Sequence, residues 1–318
     1  FRNRINKNLI NSVPEKEAFE FLQQKFIDAG MEFDNKIYDE LDNATNDKKS
    51  LIPSEYDNKS LEFLSCRFNT PSWLIRMWKK QFGPQLTYPI LLANSKGKVE
   101  TYRVNTFNIS SEDFLKQNKD FTPCDVADMV VYSGEKNMKK AAVKANPNLF
   151  SYLQGYKKLF DLLDCDPFRG TAFYCGSINN AFLELVAQFS NKTKFEVVAK
   201  HGEPYFFAKK LCEKFSLENV GVYDAQASSI MTCISRPVHT FVVLPESSNF
   251  ANIRAVPDYL MHFKQETFDE LIAAQSEALE EASKFVEDGG NLAYAVSTLN
   301  HKEGKAQIIA FLNKHKEF

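Results

Sequence analysis

Phe195-Glu196-Val197-Val198-Ala199, the stretch Tyr205 to Phe215, Val220-Gly221-Val222-Tyr223 and Thr240-Phe241-Val242-Val243-Leu244 follow one another in the second half of the chain. They read as strand, helix, strand and buried strand. A run of four or five residues that is apolar at nearly every position suits a strand covered on both faces. Strands that alternate with helices imply an open, mostly parallel sheet with helices on either side.

The same rhythm extends outward in both directions. Upstream lie a helix over Tyr152–Leu163, a short apolar strand over Thr171–Tyr174 and a helix over Asn180–Phe189. Downstream, a long helix over Phe268–Glu287 is expected to stop at Gly289-Gly290. A strand over Asn291–Val296 and a closing helix over Lys305–Lys314 follow. Residues from about 55 to 135 read as a small α/β module. In it, Thr70-Pro71-Ser72 starts a helix over Trp73–Phe82, and Gly83-Pro84 stops it. Tyr102, Val104 and Thr106 alternate as in a strand, Ser110-Ser111-Glu112-Asp113 resembles a helix cap, and Val126 to Tyr132 is a second strand. Further upstream, Pro14 with Glu15 and Glu17 makes a good helix start. The expected organisation is a helical segment over 1–55, a small α/β module over 56–147 and a doubly wound, Rossmann-like domain over 148–318.

Composition narrows the function. The 318 residues are 44% hydrophobic and 25% charged, as in a soluble globular protein. Twelve glycines are few for a busy nucleotide-cradling site, because such loops need residues without a Cβ. A net charge of −2 lacks the basic excess of a free-standing nucleic-acid binder, so any RNA contact has to come from local basic patches or be shared with partners. The six cysteines are scattered, with no C-x-x-C pair and no Cys/His cluster. Reduced, mostly buried thiols are therefore expected, and no metal site. No apolar run approaches the ~18–20 residues of a membrane span.

Two stretches carry a resemblance. Thr70-Pro71-Ser72-Trp73-Leu74-Ile75 with Tyr102-Arg103-Val104-Asn105-Thr106 is similar to the "P-x-W-L" helix and "L-R-V-N" strand of the Sun/Fmu-type RNA cytosine-5 methyltransferases. Glu270 to Leu279, followed by Asp288-Gly289-Gly290-Asn291-Leu292-Ala293-Tyr294-Ala295, resembles the block that precedes that family's catalytic strand end. The similarity covers roughly residues 60–318. It implies a class I methyltransferase fold, S-adenosylmethionine as cofactor, RNA as substrate, and two cysteines, one of which adds to C6 of cytosine so that C5 can accept a methyl group.

Position by position, this chain departs from that pattern. Ser297 stands where the resemblance implies the nucleophilic Cys, and a hydroxyl ionises far less readily than a thiol. In Leu244-Pro245-Glu246-Ser247-Ser248, Ser247 replaces the second Cys and Leu244 an Asp. In the implied cofactor loop, Thr171 to Asn180, one glycine remains, Gly176. The ribose-binding acid falls at His201, with Glu203 two residues on, and Asp224 keeps an acid near the implied adenine site. Gly176, Glu203 and Asp224 are thus vestigial cofactor candidates, and no catalytic residue is expected.

Arg76, Lys79 and Lys80, with Trp73 and Trp78 on the same helix, suit an RNA-facing stripe as well as a solvated face over a tryptophan core. Arg103 suits either an RNA contact or a structural salt bridge. Lys136, Lys139, Lys140 and Lys144 form a second basic patch in a loop. Cys175 reads as a buried thiol in preference to a relocated nucleophile.

The leading expectation is an inactive methyltransferase-like protein that binds RNA, ribosomal RNA first among candidates. It would work as a structural component of a ribosome, a ribosome-assembly intermediate or another large complex, with protein partners and no cofactor. An active S-adenosylmethionine-dependent RNA methyltransferase with divergent motifs and a protein–protein scaffold without RNA are the alternatives. The initial Phe1 and a ribosome-linked ancestry favour the mitochondrion slightly over the cytoplasm.

Overall fold

The structure, a computed structural model, describes residues 60–96, 99–163, 165–189, 194–225, 233–234, 236–254, 260, 263 and 266–318. The helical segment expected over 1–55 lies outside them. The chain divides into two units, Phe1–Arg67 and Phe68–Phe318. Of the first, the described part is Ser60 and most of helix α1 (Leu61–Phe68).

The second unit opens with α2 (Ser72–Ser95), which buries Leu74, Ile75, Trp78, Thr87 and Leu91. Gly83, at φ 75° and ψ 164°, kinks it. The Gly83-Pro84 pair therefore breaks the helix without ending it. Pro84 begins a second helical stretch, where a missing N–H costs nothing, and Thr87 Oγ1 donates to the Gly83 carbonyl at 2.8 Å.

A small antiparallel sheet follows. Its strands are β1 (Thr101–Val104), β2 (Phe121–Pro123), β3 (Met129–Tyr132) and β4 (Leu149–Ser151), in the order β2-β3-β1-β4. Helix α3 (Ser111–Gln117) is capped as its sequence suggests: Ser110 accepts from the Asp113 N–H. Tyr102, Val104, Phe114, Phe121, Val130 and Leu149 form the core of this module. The lysine run expected in a loop includes Lys139, Lys140 and Lys144, which instead lie on helix α4 (Lys139–Ala145).

The larger sheet contains β5 (Thr171–Cys175), β6 (Phe195–Lys200), β7 (Val220–Ala225), β8 (Val238–Leu244) and β9 (Val286–Tyr294). All its pairings are parallel, in the order β7-β6-β5-β8-β9. The side-chain period of two explains the layers. Phe173, Cys175, Val197, Ala199, Val242 and Leu244 share one face with α5 (Gln154–Leu162), α6 (Leu183–Gln188) and α7 (Glu203–Phe215). Ala172, Val198, Phe241 and Val243 share the other with Ala278 and Ala282 of α8 (Thr267–Ser283). Helix α9 (Lys305–Lys314) closes the described chain at the bounds its sequence suggests.

Helix α8 ends at Ser283, not at the glycine pair. Gly289 and Gly290 sit inside β9, where the register against β8 shifts between Val238 and Thr240. Gly289 has φ 72°, and a Cβ on Gly290 would come within 2.5 Å of the His239 carbonyl oxygen. These glycines serve a bulge and a close backbone approach, the two common uses of glycine within a strand. Among the described residues no helix is long and apolar enough to cross a membrane.

Candidate functional site

The chain runs outward from β5 to β6 and β7, then returns to place β8 on the other side of β5. Such a reversal opens a crevice at the carboxyl ends of the strands, where ligands of open α/β sheets bind. A cleft of about 780 Å³ lies there. Gly176, Ser177 and Asn179 after β5, Lys200, His201 and Glu203 at and after the end of β6, Glu246 and Ser247 after β8, and Ser297 after β9 line it.

Five of the residues singled out by sequence thus meet in one cleft: Gly176, His201, Glu203, Ser247 and Ser297. Asp224 is not on its wall, but its Oδ2 lies 2.9 Å from Nδ1 of His201, which is. Leu244 points into the apolar core below. Ser297 and Ser247 are half-buried, and Tyr156 on α5 lines the same cleft. Burial pushes the Tyr156 hydroxyl up to about 12, so it stays protonated at ordinary pH.

The loop after β5 is satisfied internally. Asn179 accepts from the Ala181 N–H at 3.2 Å and donates to the Ser177 carbonyl at 3.0 Å. It also accepts from the Cys175 thiol. Gly176 donates its N–H to the Leu244 carbonyl at 2.8 Å, and a Cβ there would come within 2.5 Å of the Glu246 nitrogen. Its bare face is turned toward the neighbouring loop. At the rim, Lys200 and Glu246 form an exposed ion pair across the two strand ends.

A carboxylate that sequence reasoning passed over holds the other side together. Glu303 is fully buried. It accepts from the Ser248 N–H at 2.8 Å, from the Ser248 hydroxyl, from Gln275 at 3.0 Å, and from Thr298 and Asn300 at 3.2 Å each. The loop after β8, helix α8 and the loop after β9 thereby share one acceptor. Its only sequence signal was a lone acid just ahead of α9.

The basic candidates separate. Arg76 and Lys80 are exposed, while Lys79 is partly buried. Of the two tryptophans on that helix, Trp78 is in the core and Trp73 is exposed, resting on Phe250 and Phe263. Lys140 is exposed, whereas Lys139 is paired with Glu100 at 2.6 Å and lies over the Tyr102 ring. Arg103 is fully buried. Its Nε and Nη2 bind Glu184 on α6 at 2.8 and 3.1 Å, so it makes the structural salt bridge and has no face for RNA. The thiols also differ from expectation: Cys175 is buried, Cys66 is exposed and the other four are partly covered.

Sheet order, the small antiparallel module and the cleft at the strand ends define a class I methyltransferase-like fold. No protein-family model matches the chain. A stretch of 65 residues is 38% identical to the ribosomal RNA small subunit methyltransferase B of Thermus thermophilus, which is 20% of this chain and 16% of that protein. Among solved structures, PH0851 superposes with a TM-score of 0.72 at 18% identity, over 85% of this chain and 62% of that one. A methyltransferase homolog protein from Pyrococcus horikoshii gives 0.67 at 16% identity, over 80% and 82%. NSun6 from Pyrococcus horikoshii, solved with SFG, gives 0.56 at 11% identity, over 77% and 87%. At such identities the structural likeness is one of fold. With the matched stretch, the chain resembles the Sun/Fmu-type RNA cytosine-5 methyltransferases.

Proposed function

We propose that this chain is a catalytically silent, methyltransferase-like protein that binds RNA, ribosomal RNA first, as a structural component of a ribosome, an assembly intermediate or another large complex. The observation that carries this reading is the pair of hydroxyls, Ser247 and Ser297, on the cleft wall where cytosine-5 chemistry needs thiols. Among the described residues no cysteine lines the cleft, and Cys175 beneath it is buried with its thiol pushed up to about 12 by that burial. Such a thiol stays protonated and is no nucleophile.

The fold family implies S-adenosylmethionine, and the loop residues do not fit it. Gly176 lends its open face to Glu246, Asn179 is occupied within its own loop, and Asp224, which is off the cleft wall, meets His201 through Oδ2 and leaves only Oδ1 unpartnered. The mitochondrion, ahead of the cytoplasm, belongs to the same proposal.

A second reading, a divergent but active RNA methyltransferase, is favoured by the volume of the cleft and by Glu203 on its wall. Incubating the chain with isotopically labelled S-adenosylmethionine and unmodified ribosomal RNA separates the two. RNA retention without label is the expected result. Label at C5 of cytosine establishes the second reading, and loss of both binding and label overturns the first.

A further inference from the structure

Helix α2 carries three cations, Arg76, Lys79 and Lys80, and no Asp or Glu over its 24 residues, in a chain whose net charge is −2. Trp73, Arg76 and Lys80 are spaced i, i+3, i+7 and fall on one stripe of the helix. All three are exposed, while Leu74, Ile75 and Trp78 fill the opposite face. Neither Arg76 nor Lys80 has an ion-pair partner among the described residues. The Trp73 ring is 39% exposed, yet it is held against Phe250 at 5.7 Å and stacked on Phe263 at 6.2 Å. A large aromatic ring fixed in this way loses little freedom when something stacks on it. Phe250 lies in sequence between Asn249 and Asn252, both on the cleft wall, so the Trp73 end of the stripe rests on a segment that also lines the cleft.

We propose that this stripe is a platform for single-stranded RNA: Trp73 stacks on an unpaired base, and Arg76 and Lys80 take the phosphates beside it. This rests on the RNA-binding reading above. Unpaired strands are the partner class because the base faces of a duplex are already stacked on one another, whereas a free base offers its face to any aromatic ring.

The two tryptophans make the test direct. Trp78 is fully buried, so quenching of intrinsic fluorescence by a short oligouridylate reports Trp73. The expected result is quenching in the native chain and, read by the anisotropy of a dye-labelled oligouridylate that serves every variant alike, an affinity about 5- to 150-fold weaker in Trp73→Leu, the range for loss of one stacked base. Trp73→Phe keeps a ring on Phe250 and Phe263 and serves if the leucine variant fails to fold. Its expected loss is smaller. Removing Arg76 and Lys80 together (R76A, K80A) lowers the log–log salt slope by about 1.4, two single-strand phosphate contacts. Equal affinity for a hairpin duplex, or single-strand binding without quenching and unaffected by Trp73→Leu, overturns the platform and leaves the RNA reading standing. Binding of neither RNA overturns both, and capture of a protein through this stripe in the absence of RNA would then supply the occupant.

Discussion

Cys175 closes β5 immediately below the cleft, with its thiol fully covered and bonded to Asn179. Burial holds it protonated, so alkylation at neutral pH is expected to label Cys66 quickly and Cys175 only after unfolding, which peptide mass mapping reads directly. Arg103 is the residue whose loss should cost most. It pairs with Glu184, which also faces the buried Lys157 Nζ at 3.7 Å and accepts from Nε2 of the exposed Gln188 at 2.6 Å. Arg103→Met leaves that carboxylate short of its main partner, and about 3–5 kcal/mol of stability should disappear in chemical denaturation. Replacing both partners, Arg103→Met with Glu184→Leu, should recover much of the loss, because an apolar pair costs no desolvation of charge. The burial of Cys175 was legible in sequence, whereas for Arg103 the sequence left a salt bridge and an RNA contact open and named no partner. The partners stand 81 positions apart, and an arginine in a strand looks the same whether it ends in solvent or on a buried acid.

Elements are joined by a few polar anchors. Glu303 binds three of them at once, and Glu303→Gln turns an acceptor into a donor facing donors. A loss of about 1–3 kcal/mol is expected, measured as a lower denaturation midpoint. Helix α9 is tied to α8 through His315, whose Nε2 meets Glu280 at 2.8 Å and whose Nδ1 meets Glu317 at 2.8 Å. Lys314 joins the same Glu280 at 2.8 Å. The bonds to Glu317 and then Glu280 raise the imidazole above its ordinary 6.5. Its contribution is therefore fully present below 6.5 and fades as pH rises through the raised value. The destabilisation caused by His315→Gln should shrink between mildly acidic and alkaline buffer in pH-dependent thermal melts. Regular elements such as α9 and the central strands were readable because their apolar period is local. The three-residue strands β2 and β4 were missed because so short a run carries no period. Gly289-Gly290 suggested a helix stop because glycine marks ends and bulges alike.

At the scale of the whole molecule, layer order and strand direction followed from the alternation of apolar runs. Gly176, His201, Glu203, Ser247 and Ser297 were legible through the family resemblance, and the rest of the cleft followed only from tracing which strand ends the topology gathers. Glu246 and Lys200 face each other across 46 positions, a pairing that no local pattern announces. A ligand that binds only the folded form stabilises it logarithmically with concentration, by about 2.7 kcal/mol at a hundredfold excess over its Kd, and the melting midpoint rises with it. S-adenosylmethionine at millimolar concentration is expected to leave the midpoint of this chain unchanged in calorimetry. A rise of several degrees would show that the cleft accepts it. Gly176 bears on how descendants and cousins of this chain are to be sorted. Because the adjoining backbone at Glu246 occupies the space a methyl group would need, a mutation there is penalised by folding alone, and selection keeps the glycine whether or not a nucleotide ever enters. Persistence of that glycine across a lineage is therefore no sign of enzymology, whereas Glu203 and Ser297, which line the cleft, are the positions where drift would bear on its chemistry.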